Sequence, residues 1–174
     1  RSQENASPYM EKYVFEALMQ MGNGDEGFAR HNRRFSNMVR NDYFTTLFEG
    51  WGIGSEGFGG GSVNHAWSGG LTVAYRYVCG IRPMDVAYNK VGVLPLPSGL
   101  SWAKASVVTP IGRVTSAFES SPNVFVLDTE FPKEYEGVIG APKQGVREVK
   151  INGTTVWKNG SPVRNKVVRF IKKQ

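Results

Sequence analysis

The sequence predicts an α+β fold in which helices form the first part of the chain and an antiparallel β-sandwich forms the second. Apolar residues recur at helical spacing up to about residue 80, and short alternating segments separated by turn residues follow from about residue 90. Charge changes at the same place, because residues 1–89 have a balance of −1 and residues 90–174 a balance of +7. We therefore expect two domains, a helical segment over residues 1–85 and a sandwich over residues 86–174.

The first two helices are predicted to form an antiparallel hairpin. Ser7 supplies an N-cap, Pro8 suits the first helical position, and Gly22 suits the position just past the end. Asp25 then opens a second helix, which places Arg30, Arg33 and Arg34 opposite its apolar side. The apolar residues at helical spacing are Met10, Val14, Ala17, Leu18 and Met21 in the first helix and Phe28, Phe35, Met38 and Val39 in the second.

A third helix is expected to begin near Ser62 and to continue to about Val78. Gly69 and Gly70 give it a weak helix propensity at one step, which indicates that another part of the chain packs very close there. Because the join near residues 81–83 is short, we expect the two halves to pack together.

The second half is predicted to be made of strands. Asn152-Gly153 between two alternating segments is a strong hairpin signal. The expected extended segments are residues 90–97, 100–110, 113–118, 123–128, 149–151, 154–157 and 167–171.

Composition excludes several classes of protein. Cys79 is the single cysteine, so an internal disulfide framework and a cysteine zinc site are excluded, and two histidines make a transition-metal site unfavourable. We therefore expect no metal and no cofactor. No apolar run reaches the roughly 18 residues of a membrane span, so no membrane association is expected. The basic second half lacks aromatic stacking motifs, so we interpret it as a solvated face rather than a nucleic-acid surface.

A glycine-rich segment between the second and third helices carries the candidate chemistry. Seven of the 21 glycines fall between Gly50 and Gly61, and the segment also holds the carboxylate Glu49, the imidazole His65 and the indole Trp51. Aromatic faces suit sugar rings, and a carboxylate beside them suits general acid or base catalysis. From these residues alone, structural roles are the more common ones: Glu49 as a solvent-exposed residue or helix cap, His65 as a cap or core residue and Trp51 as a packing residue.

Several motifs in the correct order resemble the bacterial alpha-L-rhamnosidases, specifically their C-terminal part. The likeness runs from about residue 5 to residue 118. Its motifs are ASPYMEKY (6–13), TTLFEGW (45–51), SVNHAW (62–67), GIRP (80–83), VLPLP (93–97), LSWA (100–103) and TPIG (109–112). This resemblance implies the last helices of an (α/α)6 barrel followed by a C-terminal β-sandwich.

The resemblance also implies an activity and roles for three residues. Members of the family hydrolyse terminal alpha-L-rhamnose with inversion, using one carboxylic acid and one carboxylate base. The threonine-rich motif places the base on Glu49, the Asn-His motif places a sugar contact on His65, and Trp51 would lie beside the pocket. Position 48 departs from the family pattern, since it is Phe where tryptophan is common.

The resemblance places the general acid upstream of these motifs, before residue 1. An inverting site needs both carboxylates, roughly 6.5–9.5 Å apart with a water between them. We therefore expect this chain to supply the base of a glycosidase whose missing N-terminal part supplies the acid. The partner would be a rhamnose-containing glycoside or polysaccharide. Because relatives in the family degrade polysaccharides, the resemblance also implies a periplasmic or secreted location. The alternative is a non-catalytic carbohydrate-binding or accessory module.

Overall fold

Two antiparallel helices, α1 (Pro8–Gln20) and α2 (Gly24–Val39), open the chain. The structure is a computed structural model that describes residues 6–42, 45–51, 69–133, 135, 137–142 and 145–163. The Ser7 hydroxyl accepts a hydrogen bond from the backbone N–H of Met10 at 3.3 Å, which confirms the predicted N-cap. Gly22 has a φ of 81°, the left-handed conformation that ends a helix and favours glycine.

The buried face of α1 differs from the predicted one, whereas the apolar side predicted for α2 is buried at Phe35 and Met38. In α1 the buried residues are Pro8, Glu11, Phe15 and Met19, of which the last three follow one another at a spacing of four, whereas Met21 is 70% exposed. In α2 the face opposite the apolar side is not uniformly solvated, because Arg30 and Arg34 turn toward Glu11. Apolar spacing predicted the helices correctly, but the face that each buries depends on what packs against it.

The third helix, α3, comprises Leu71–Val73 and continues as a π-helical turn over Ala74–Val78. The predicted start near Ser62 lies outside the described residues. The predicted close approach is confirmed: a Cβ added to Gly70 would stand 2.6 Å from the His31 ring and 2.8 Å from Phe15. Glycine is required at this position because α3 crosses the helical hairpin without room for a side chain.

Nine strands form three three-stranded sheets in the described part of the chain. The first has the order β1-β2-β6, with β2 and β6 parallel, and the other two, β3-β4-β5 and β7-β8-β9, are antiparallel. The strands are β1 (Ile81–Pro83), β2 (Val91–Val93), β3 (Trp102–Thr109), β4 (Gly112–Ser120), β5 (Phe125–Glu130), β6 (Gly137–Ile139), β7 (Glu148–Ile151), β8 (Thr154–Lys158) and β9 (Ser161–Pro162).

The turn between β7 and β8 is the one that the sequence predicts. Asn152 and Gly153 both have positive φ, as a type I′ turn requires, and they join β7 to β8 as predicted. Strands β1, β6 and β9 were not predicted, since each has only two or three residues and too little alternation to recognise. The predicted strand over residues 167–171 lies outside the described residues.

The core joins the helices to the sheets. One cluster packs Phe15 and Met19 of α1 against Phe118 of β4, with Val73, Tyr77 and Val78 between them. A second cluster joins Cys79 to the β1, β2, β3 and β4 strands, and the Ser116 hydroxyl donates a 2.7 Å hydrogen bond to the Cys79 carbonyl. The observed fold is thus α+β with sandwich-like sheets. A closed (α/α)6 barrel is not visible among the residues that the structure describes.

Candidate functional site

Glu49 lies in the connection that follows α2, within residues 45–51. Its neighbour Phe48 is only 3% exposed and packs in a cluster with Phe35 and Met38 of α2. Glu49 itself is exposed. Because a buried ring precedes it and a packed indole follows two residues later, the connection is held at both sides of Glu49.

Trp51 is held by three contacts from the helical hairpin. Its indole Nε1–H donates to the Ala6 carbonyl at 2.8 Å, and its ring meets the Phe35 ring edge to face at 5.2 Å. The guanidinium carbon of Arg34 lies 4.2 Å from the ring centroid, a cation–π distance. Trp51 is therefore half-buried and packed, with its polar atom already used by the backbone.

A buried ion cluster lies beneath this connection. Glu11 is 1% exposed, and Arg30 donates to its two oxygens at 2.7 and 3.0 Å. Arg34 approaches the same carboxylate with Nε at 3.4 Å and donates from Nη2 to the Ala6 carbonyl at 3.1 Å. A buried carboxylate needs such partners, because an unpaired charge in the interior is strongly destabilising.

Sequence reasoning missed this cluster, although the signal was present. Glu11 lies in the first turn of α1, on the face that also carries Phe15 and Met19, where a solvated glutamate is not expected. Arg30 and Arg34 are four residues apart and so lie on one face of α2. A glutamate at a core position opposite two arginines one turn apart predicts a buried ion cluster.

His31 lies between two aromatic rings at the crossing of α3. It stacks on Phe15 with ring centroids 4.8 Å apart and tilts against Phe35 at 4.4 Å. Burial lowers the pKa of His31, and the nearby Glu11 carboxylate opposes that shift. Among the described residues, its buried Nδ1 finds no hydrogen-bond partner. Its neutral ring therefore acts as an apolar packing group.

Two further residues with reactive side chains are His65 and Cys79. His65 lies outside the described residues, so its contact with a sugar stays a prediction. Cys79 is buried, and burial raises the pKa of its thiol, which suits a packing role. Within the described ranges, no group of three or more His, Cys, Asp or Glu side chains could hold a metal ion.

A shallow depression lies next to the connection that carries Glu49. Its described lining comprises Met38, Val39, Thr45, Thr46 and Leu47, and its volume is about 350 Å³. Thr45 and Thr46 are exposed and bring two hydroxyl groups to its edge.

None of the described helices is long and apolar enough to span a membrane.

Three comparisons identify similar proteins. Residues 80–155 match the family described as the bacterial alpha-L-rhamnosidase C-terminal domain. An alpha-L-rhamnosidase from Formosa agariphila is 28% identical over 130 residues, which is 70% of this chain and 14% of that protein.

Solved structures agree with this match. The alpha-L-rhamnosidase from Dictyoglumus thermophilum superposes with a TM-score of 0.75 and 26% identity, covering 90% of this chain and 18% of that one. The Streptomyces avermitilis alpha-L-rhamnosidase, solved with L-rhamnose, shares the fold with a TM-score of 0.64 and 21% identity over 73% of this chain and 13% of that one.

This chain therefore spans less than a fifth of the length of each of these relatives. The family match falls in the sheet-forming half, while the Dictyoglumus structure also covers the helical part, because it extends over 90% of the chain. The resemblance predicted from the motifs is confirmed: the chain is similar to the C-terminal portion of the bacterial alpha-L-rhamnosidases.

Proposed function

We propose that this chain is the C-terminal part of an inverting glycoside hydrolase that releases terminal alpha-L-rhamnose, with Glu49 as the general base. The observation that carries the proposal is the placement of Glu49. Its carboxylate is exposed on a connection held by the buried Phe48 and the packed Trp51, within the motif that resembles the base motif of the family.

The chemistry follows from that placement. The Glu49 carboxylate takes a proton from a water molecule, whose oxygen attacks the anomeric carbon on the face opposite the leaving group. As the anomeric carbon–oxygen bond breaks, a general acid gives its proton to the leaving oxygen. In this proposal the acid comes from an N-terminal part of the enzyme that precedes residue 1, and the three helices described here complete an (α/α)6 barrel with it.

Two further residues complete the proposed sugar site. His65 contacts the rhamnose ring, and Trp51 forms part of the wall beside the pocket. The packed ring of Trp51 suits a fixed wall, since its N–H already binds the Ala6 carbonyl and its face lies against Arg34. The exposed Thr45 and Thr46 beside the neighbouring depression are suitable hydroxyl partners for the same ligand.

Glu49→Gln in the full-length enzyme tests the base assignment. The amide keeps the shape of the side chain but cannot accept a proton from water, so we expect kcat on an aryl alpha-L-rhamnoside to fall about 10²–10⁴-fold. Glu119→Gln is the matched control, because Glu119 is an exposed glutamate on β4. A Glu49→Gln enzyme that turns over at the rate of the control would disprove the base role.

The stereochemistry of the product tests inversion separately. Proton NMR of the first-formed sugar should show the β-anomer of L-rhamnose before mutarotation mixes the anomers. First formation of the α-anomer would indicate a retaining mechanism and a covalent intermediate instead. If the unaltered full-length enzyme shows no turnover, L-rhamnose binding that survives Glu49→Ala but is lost in Trp51→Ala would favour a carbohydrate-binding module.

A further inference from the structure

The Ala6 carbonyl receives two hydrogen bonds from different parts of the chain. Arg34 Nη2, on α2, donates to it at 3.1 Å, and Trp51 Nε1, in the connection after α2, donates to it at 2.8 Å. One backbone oxygen directly before α1 therefore joins α2 to the connection that carries Glu49. We call Ala6, Arg34 and Trp51 the Ala6 clamp.

Arg34 is the central member of the clamp. Its guanidinium reaches the Ala6 carbonyl, approaches the buried Glu11 carboxylate at 3.4 Å and covers the Trp51 ring at 4.2 Å from the centroid. Its side chain is only 11% exposed. A mostly buried group with three contacts has little freedom to move, so Arg34 transmits the position of the helical hairpin to Trp51.

We propose that Arg34 is a positioning residue that holds the connection over residues 45–51, and with it the Glu49 carboxylate, against the start of α1. This inference rests on the proposed function, since it assigns Arg34 a task in placing the proposed base. Arg34 acts through Trp51, which lies two residues from Glu49, and it has no chemical role of its own in the reaction.

Arginine suits this task better than lysine. A planar guanidinium offers donors in a fixed fork while its face stacks on an aromatic ring, so it can bind a carbonyl and a carboxylate and still cover Trp51. A lysine ammonium at the same position could remain near Glu11, which retains Arg30 as its bidentate partner. A lysine side chain has no flat group that can cover the Trp51 ring and donate to the Ala6 carbonyl at the same time. Arg34→Lys should therefore release Trp51 without leaving Glu11 unpaired.

Small displacements of a base have large effects on turnover. A misplacement of about 1 Å at a reacting group lowers the rate on the order of 10²-fold. We therefore expect Arg34→Lys to lower kcat of the full-length enzyme about 10–100-fold, with a much smaller change in KM. We also expect the backbone amides of residues 45–51 to exchange with deuterium faster, since the clamp no longer holds them.

Arg76→Lys is a matched control. Arg76 also pairs with a glutamate of α1, Glu16, at 3.0 Å, and it also lies over a tyrosine ring, Tyr77 at 6.0 Å. Both variants thus exchange an arginine for a lysine in an ion pair with α1 beside an aromatic ring, but only one belongs to the Ala6 clamp. The control should leave kcat and the exchange of residues 45–51 unchanged.

The decisive experiment measures kcat, KM and peptide-resolved hydrogen exchange on the full-length enzyme for Arg34→Lys, Arg76→Lys and Glu49→Gln together. Faster exchange of residues 45–51 with a lower kcat in Arg34→Lys, and neither in the control, is the expected result. Unchanged exchange overturns the inference, and so does faster exchange with an unchanged kcat. Should Arg34→Lys fail to fold, Arg34→Gln replaces it, because it removes the charge and the planar fork that cover Trp51, and the same two contrary results overturn the inference.

The same set separates failure of this inference from failure of the proposed function. A low kcat in Glu49→Gln with wild-type behaviour in Arg34→Lys overturns the positioning role and leaves the base assignment intact. A wild-type kcat in Glu49→Gln overturns the base assignment, and the exchange of residues 45–51 then decides independently whether Arg34 holds the connection.

Discussion

The helical hairpin and the β3-β4-β5 sheet both contain completely buried side chains, but only the hairpin buries a cluster of charged groups among the described residues. Glu11 in α1 is 1% exposed and is neutralised by two arginines, whereas Val114 in β4 is fully buried in an apolar cluster with Val91 and Val93. A buried ion cluster depends on each partner being present and on its geometry, while an apolar cluster depends on volume.

This difference indicates what each region contributes. The ion cluster contributes defined positions, since its hydrogen bonds reach Ala6 and its arginine covers Trp51. The sheet contributes an apolar surface on which α1 and α3 pack through Phe118. The candidate site is attached to the helical hairpin, whose ion cluster fixes the positions of its neighbours. A catalytic group gains rate from being held in a fixed position.

Glu11→Ala is expected to have the largest effect on stability. Two guanidinium groups would remain close together without their carboxylate, at a cost of about 3 kcal/mol in the free energy of unfolding. We take the lower end of the usual range because Arg30 and Arg34 keep side-chain exposures of 19% and 11%. Urea denaturation of the variant and of the wild-type chain measures this difference.

Glu16→Ala is the control for that measurement. Glu16 also lies on α1 and pairs with Arg76 at 3.0 Å, but the arginine is 49% exposed. A screened pair of this kind contributes less than about 1 kcal/mol. Equal losses for the two substitutions would mean that burial does not distinguish the two ion pairs.

Val114→Ala should have the next largest effect. Removing two methyl groups from a fully buried side chain costs about 2 kcal/mol in the free energy of unfolding, from lost burial and from the cavity that remains. Val108→Ala is the control on the neighbouring strand, because Val108 is 71% exposed and pairs with Arg113 beside Val114. A loss at Val108 as large as that at Val114 would contradict the assigned core.

The smallest effect is a pH dependence that comes from His31. Burial lowers its pKa in the folded chain below the ordinary value of 6.5, so the unfolded chain binds a proton more readily. The free energy of unfolding should therefore fall as the pH drops below about 6.5, and level off once the folded chain is also protonated. The partial exposure of His31 and the opposing Glu11 charge keep this effect small.

His31→Phe tests the assignment. A phenyl ring can stack between Phe15 and Phe35 without a titratable group, so the variant should lose the His31 component of the pH dependence between pH 7 and pH 5. Denaturation curves of both proteins at several pH values give the difference directly. Parallel stability profiles for the two proteins would show that His31 does not titrate differently on folding.

Much of the fold could be predicted from local sequence. The Ser7-Pro8 start of α1, the glycine that ends it and the Asn152-Gly153 turn were recognisable because each reflects the backbone conformation of a few adjacent residues. The short strands β1, β6 and β9 were not, because two or three residues carry no recognisable period, and β6 forms only when it meets the distant strand β2.

The candidate site divides in the same way. The motif around Glu49 could be recognised from sequence by resemblance, and the roles of Glu49, Trp51 and His65 stay predictions. The use of Glu11, Arg30 and Arg34 as a buried ion cluster could not be read so directly, because a charged residue normally indicates a solvated face.

The sequence by itself determined where helices and turns occur and the resemblance to bacterial alpha-L-rhamnosidases, since each depends on short motifs of neighbouring residues, and Glu49 as the base stays a prediction. Only the tertiary structure decided which helix faces are buried, that His31 lies against Gly70 and that Ala6 meets Trp51 across 45 residues. Those contacts depend on packing between distant segments, and packing is a property of the assembled volume rather than of any local pattern.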